Sequence, residues 1–261
     1  MNGAPRPMDT SDDPPRGCGP AWERPGARPV DAPNDEQAQL EVTRVLAVRH
    51  GETAWNVENR IQGQLDVPLN ERGRWQAQRL ALAMGDEAID AIYTSDLRRT
   101  VETAAPTARG CGIAYVTDRG LRERGFGVFE GLTFTEIEQR WPEQSARWRR
   151  RDPEFGAEGG ETLNDFYARS VASVSRLAAV HPGQTIVIVT HGGVLDCLYR
   201  AASRITLDAP RSWQIGNAGI NRLLHTPQGF TLIGWSDDHH LEDAPLDEGA
   251  DGDAAPQARR A

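Results

Sequence analysis

The chain contains no lysine; all 29 of its basic residues are arginine. That absence excludes Schiff-base lysine chemistry and a phosphate-binding loop built around an obligatory lysine. Apolar residues are also scarce, at 38% of 261 positions, and mean hydropathy is −0.57. No stretch approaches the roughly 20 apolar residues of a membrane span. Positive charge is in deficit, with 38 acidic groups and a net charge of −9. An acidic chain repels a phosphate backbone, so nucleic acid is disfavoured as a partner. The three cysteines, Cys18, Cys111 and Cys197, form no CxxC pair and no ligand cluster. A small, odd number fits a reducing compartment, the cytoplasm. The polar stretch after Met1 lacks the apolar core of a secretory signal.

The negative charge sits at the two ends. Residues 1–41 carry eight acids and four arginines, and residues 242–261 carry six acids and two arginines, which leaves residues 42–241 at −1. Both flanks are rich in Pro, Gly and Asp and poor in branched apolar residues. Such segments cannot bury enough surface to offset their ordering entropy. We therefore expect a disordered tail over 1–41, a globular domain over 42–241 and a second disordered tail over 242–261. Trp22 is the one residue of the first flank suited to docking.

Within the globular part, the apolar pattern alternates between strand and helix. Thr43–Arg49 predicts a strand. Asn70 predicts an N-cap for a helix over Glu71–Met84, ended near Gly85. Ala91–Thr94 is a second strand, Leu97–Arg109 a helix stopped at Gly110, and Ile113–Val116 a third strand. Leu163–Val180 is a long amphipathic helix ended by Pro182-Gly183. Thr185–Thr190 is almost wholly apolar, as expected of a strand buried on both faces. Val194–Ala202 is helical, and Gly219–His225 and Phe230–Trp235 read as closing strands. Strands alternating with helices predict an α/β fold, a three-layer sandwich with a mostly parallel central sheet and helices on both faces. The helical segment Phe134–Arg151 has no strand partner and reads as a small cap inserted at one end of the sheet.

The first strand ends in Arg49-His50-Gly51-Glu52-Thr53, and the buried strand ends in His191-Gly192-Gly193. In open α/β sheets ligands bind beyond the carboxyl ends of the strands. Two His-Gly pairs at that edge, one preceded by an arginine, point to a site for a negatively charged ligand.

These motifs resemble those of the histidine phosphatase superfamily, the phosphoglycerate-mutase-like proteins, over roughly Arg44–Leu241. Arg49-His50-Gly51-Glu52-Thr53 with Ala54-Trp55-Asn56 resembles the family's opening signature. Ser95-Asp96-Leu97-Arg98-Arg99-Thr100 resembles its second motif and puts the pocket arginine on Arg99, not Arg98. Leu121-Arg122-Glu123, with Phe126-Gly127 and Glu130-Gly131-Leu132, resembles the motif that carries the acid, at Glu123. Thr190-His191-Gly192-Gly193 resembles the motif of the second pocket histidine. Gly160-Glu161-Thr162 and Asp238–Leu241 also look like family features.

The resemblance implies a phosphorylated small-molecule substrate and no metal or other cofactor. Arg49 and Arg99 would present planar forks to phosphate oxygens, with His191 a third donor if protonated. His50 would attack phosphorus, and Glu123 would protonate the leaving alkoxide. Asn56, Gln62, Gly63 and Gly192 match positions that touch the phosphoryl group or substrate. Asn56 can equally cap a turn, and Gln62-Gly63 can be loop chemistry alone. The basic run Arg147-Trp148-Arg149-Arg150-Arg151 is either a solvated helix end paired with acids or a reader of a second anionic group.

A phosphatase is favoured over a mutase, because Phe134 and Gly193 stand where mutases carry Lys and Asn, and Phe126 where they carry Tyr. The stretch Trp148-Arg149-Arg150 is the mutase-like feature. Two further alternatives are a non-catalytic phosphoryl-binding module and a metal hydrolase using His50, His191 and the stretch Ser236-Asp237-Asp238-His239-His240. The oligomeric state is left unassigned.

Overall fold

Strands β1 (Thr43–Arg49) and β4 (Thr185–Thr190) lie side by side in parallel, with register Arg44↔Thr185 through Arg49↔Thr190, at the centre of a computed structural model that describes residues 42–242. The flanks read from composition as tails, Trp22 included and Glu242 excepted, lie outside the described residues. Two parallel strands, β2 (Ala91–Thr94) and β3 (Tyr115–Thr117), continue the sheet beyond β4. An antiparallel hairpin, β5 (Ile220–Thr226) and β6 (Gly229–Asp237), continues it beyond β1. The order is β3-β2-β4-β1-β5-β6.

The two-residue periodicity of a strand sends alternate side chains to opposite faces. Val45, Ala47, Ile186 and Ile188 pack on one face with Leu163, Phe166, Val174 and Leu177 of α6 (Leu163–Ala179) and Val194, Leu195 and Leu198 of α7 (Gly192–Ser203). Leu46, Val48, Val187 and Val189 pack on the other with Leu80 of α2 (Glu71–Ala83) and Ala104 and Ala108 of α3 (Arg98–Cys111). This is the expected three-layer α/β architecture. A third, separate core belongs to the cap: Phe129, Ile137, Phe155 and Ala157, with Trp141 and Trp148 against them.

The strands expected at Thr43–Arg49, Ala91–Thr94 and Thr185–Thr190 hold to the residue. Asn70 caps α2 as expected, its Oδ1 accepting from the Gly73 N–H at 2.7 Å. Other boundaries move for physical reasons. Helix α3 runs through Gly110 and ends at Gly112, whose φ of 67° supplies the left-handed C-cap. The chain then folds back over that end, Ile113 N–H donating to Ala108 O, so β3 starts at Tyr115 instead of Ile113. The cap is two short helices, α4 (Phe134–Arg140) and α5 (Pro142–Arg149), because Pro142 opens a new helix instead of continuing the old one. Helix α7 begins at Gly192, two residues early, with His191 as its N-cap. A one-turn helix α1 (Ala54–Val57) was not foreseen. Among the described residues no helix is long and apolar enough to cross a membrane.

Candidate active site

Because β1 and β4 end in register, the residues that follow them meet. The rings of His50 and His191 lie 5.3 Å apart, centroid to centroid, and both are buried. His50 Nδ1 is 2.7 Å from the Gly51 carbonyl oxygen. A carbonyl only accepts, so Nδ1 carries the proton and Nε2 keeps the lone pair. Burial, then the charges of Arg99 and Arg49, hold His50 well below its ordinary value of 6.5. The ring is therefore a neutral imidazole with one nitrogen free to react.

Arg99 is fully buried. Its Nη2 donates to Gly63 O at 2.7 Å and its Nη1 to Leu65 O at 2.8 Å, which fixes the plane of the guanidinium. Burial pushes it down to about 10, so it is still a cation at neutral pH. Gly63 serves through its carbonyl, and its φ of 51° belongs to a conformation that favours glycine. Arg98, by contrast, is exposed on the helix surface and pairs with Glu102 at 2.6 Å. Arg49 donates from Nη1 to Ile215 O at 2.7 Å.

Buried polar atoms without partners gather here: Arg99 Nε, both ring nitrogens of His191 and Gln62 Oε1. Buried polar groups are normally satisfied; the Arg99 Nε–H and the one N–H of a neutral His191 suit an anion, whereas Gln62 Oε1 only accepts. Burial, then Arg99 and the neighbouring His50, hold His191 well below 6.5. In the free protein the ring is therefore neutral at pH 7.

Glu123 lies in a segment without regular secondary structure, and its carboxylate reaches the start of α7. Oε2 accepts from Gly193 N–H at 3.0 Å and Oε1 from Arg124 N–H at 2.8 Å. Burial raises its pKa above the ordinary 4.5, outweighing those two bonds and the attraction of Arg99 and Arg49. The carboxyl is thus held by two backbone N–H groups, with its pKa shifted upward by burial.

Asn56 caps a turn: its Oδ1 accepts from the backbone N–H of Thr53, and its own N–H donates to Thr53 Oγ1. Gly192 is the first residue of α7, and a Cβ added there would be in ordinary contact with the Arg49 side chain. The sequence reading missed the loop before β5. There Asn217 Nδ2 donates to His50 O at 2.9 Å, Ala218 N–H donates to Arg49 O, and Ile215 O holds the Arg49 guanidinium. Its available signal was Gly216-Asn217-Ala218-Gly219 directly before a strand. The reading used Gly193 only to separate phosphatase from mutase, not as a partner of Glu123, and it passed over Arg169.

The basic run of the cap is mostly paired with acids. Arg147 meets Asp152 and Arg151 meets Asp196, each at 2.7 Å, and Arg149 pairs with Glu138. Trp148 stacks on Phe134 at 4.8 Å and 8° inside the cap. His239 pairs with Asp237 at 3.0 Å. Among the described residues no three His, Cys, Asp or Glu side chains form a metal-holding group.

Two buried arginines and two neutral histidines at the strand ends make an anion site of the kind phosphoryl-transfer chemistry needs. The chain belongs to the histidine phosphatase superfamily, branch 1, whose family model matches residues 45–238. It is similar to phosphoglycerate mutase-like protein 4 of Arabidopsis thaliana, with 39% identity covering 84% of this chain and 96% of the relative. It is also similar to a metal-independent phosphoserine phosphatase of the same plant, with 37% identity covering 85% and 93%. A solved mycobacterial glucosyl-3-phosphoglycerate phosphatase, complexed with VO3, superposes with a TM-score of 0.67 at 33% identity, covering 74% of this chain and 99% of that one.

Proposed function

We propose that this chain is a metal-independent phosphatase of phosphate monoesters, working through a phosphohistidine on His50. The observation that carries the reading is the His50 ring, whose Nδ1 is tied to a carbonyl so that the lone pair is left on Nε2, with the charges of Arg99 and Arg49 acting on the ring. Nε2 attacks phosphorus, the bond from phosphorus to the ester oxygen breaks, and that oxygen takes the Glu123 proton. Water then attacks the phosphohistidine, giving a proton to the Glu123 carboxylate while the P–N bond breaks and phosphate leaves. Arg49, Arg99 and His191 hold the charge spread over the transferring group. The domain 42–241 carries all of these residues. Similarity to a phosphoserine phosphatase and a glucosyl-3-phosphoglycerate phosphatase supports a small phosphorylated metabolite as substrate. Pairing of Arg147, Arg149 and Arg151 with acids supports hydrolysis over mutase chemistry, which would use a cationic cap to hold the substrate carboxylate.

The test is rapid quench with phosphorus-labelled monoester in the presence of EDTA. The expected label survives alkali and is lost in acid. An acid-stable label, or labelling of His50→Ala, overturns the assignment. Phosphoglycerate isomerised faster than it is hydrolysed would make the enzyme a mutase.

A further inference from the structure

The six residues from Gly120 to Gly125 carry Glu123, and from Glu123 onward no helix or strand holds them. Arg169 of α6 supplies what the backbone lacks. Its Nε and Nη2 grip the two carboxylate oxygens of Glu161, both at 2.8 Å. Nη1 donates to Gly120 O at 2.9 Å and Arg122 O at 3.0 Å, and Nη2 also donates to Glu123 O at 3.2 Å. All five N–H groups of the guanidinium are used. Glu161 completes the grip, Oε2 accepting from Gly125 N–H at 2.8 Å and its backbone N–H donating to Gly125 O. A carboxylate so engaged, with both oxygens committed to an arginine, is poorly placed to act as the acid itself.

We propose that the Arg169–Glu161 pair is a positioning device that sets the backbone on both sides of Glu123, so that its carboxyl meets the start of α7 within reach of the leaving group. The inference rests on Glu123 being the acid. The two side chains of one ion pair take three carbonyls and one N–H of the segment; Gly120 lies in a short 3-10 turn, and Arg122, Glu123 and Gly125 lie outside any helix or strand. Lysine has three donors on one atom and cannot reproduce the fork.

The test is single-turnover release of the first product from glycerol 2-phosphate and from p-nitrophenyl phosphate. An alkoxide needs protonation to leave, whereas p-nitrophenolate does not, and general-acid help is worth about 10²–10⁴-fold. Arg169→Lys should slow glycerol 2-phosphate roughly 10- to 100-fold and p-nitrophenyl phosphate no more than about threefold, a partial loss of that help. Arg169→Lys added to Glu123→Gln should slow the alkyl ester little further, because the two changes remove one function. Glu161→Gln gives the same readout if Arg169→Lys folds poorly. Equal slowing of both esters, or full additivity with Glu123→Gln, overturns the positioning role. If Glu123→Gln itself slows both esters equally, the acid assignment fails and the positioning role with it. A split in Glu123→Gln that is absent in both clamp variants overturns the positioning role alone.

Discussion

The backbone N–H of Gly193 donates to Glu123 Oε2 at 3.0 Å, and a Cβ added to Gly193 would lie 2.1 Å from Glu123 Oε1. The carboxyl therefore occupies the space that any other residue at 193 would fill. A helix N-terminus stabilises a carboxylate, yet burial has the larger effect and raises the pKa of Glu123. The helix start and burial thus oppose each other in a balance that tips upward from the ordinary 4.5.

Gly193→Ala should disturb that balance without unfolding the protein. Alanine gains up to about 1 kcal/mol over glycine in a helix, offset by contact with Glu123 and with the Phe166 ring at 3.0 Å. The melting temperature should move by only a few degrees. Phosphorylation by an alkyl phosphate should slow by roughly 10- to 100-fold as Glu123 is displaced, with p-nitrophenyl phosphate much less affected. Equal rates for wild type and variant on the alkyl ester would show that Glu123 does not act from this position.

Arg98 and Arg99 are neighbours with opposite environments. The Arg98 side chain is 61% exposed, and Arg99 is 0% exposed with its fork on two carbonyls. Adjacent helix residues point about 100° apart, so one faces the pocket and the other solvent. Arg99→Ala should lower kcat/KM by about 10²–10³-fold, the usual effect of removing a preorganised donor. Arg98→Ala should stay within about 0.5 kcal/mol in stability and leave kcat/KM nearly unchanged. Steady-state kinetics on purified variants checks both. Comparable losses for the two would reverse the assignment.

The legible parts of this fold are those where one local rule decides. Thr185–Thr190 has too few polar atoms to face water, so its length and burial follow directly. His50 and His191 meet because two strands end in register, which strand-end motifs announce. Helix ends were less legible where glycines cluster: Gly110 is tolerated inside α3, and only Gly112 takes the left-handed conformation. Gly192 and Gly193 look like turn residues but open a helix, with extended His191 at the N-cap position and no side-chain capping bond. Glu123 was reached through family resemblance, since its segment has no periodicity to read. Asn217 and Arg169 act mainly through backbone carbonyls, and no pattern of side-chain types marks such contacts in advance.

The pH dependence follows from two opposed shifts. In the free enzyme His50 must be neutral to attack, and burial with Arg99 and Arg49 keeps its pKa well below 6.5. Its protonation therefore limits the rate only in acid well under 6.5. Glu123 must be protonated to release an alkoxide, and burial raises its pKa above 4.5. As pH rises through that raised value the acid is lost, so kcat/KM for an alkyl phosphate should fall on the alkaline side. The profile of kcat/KM reports ionisations of the free enzyme and substrate. The second ionisation of the phosphate, near about 6, adds its own rise on the acid side. The fall attributable to Glu123 is isolated by comparison. It should be present for glycerol 2-phosphate in wild type, absent in Glu123→Gln, and weak for p-nitrophenyl phosphate, whose leaving group needs no proton. An identical alkaline fall in wild type and Glu123→Gln would assign that ionisation to another group and remove Glu123 from proton transfer.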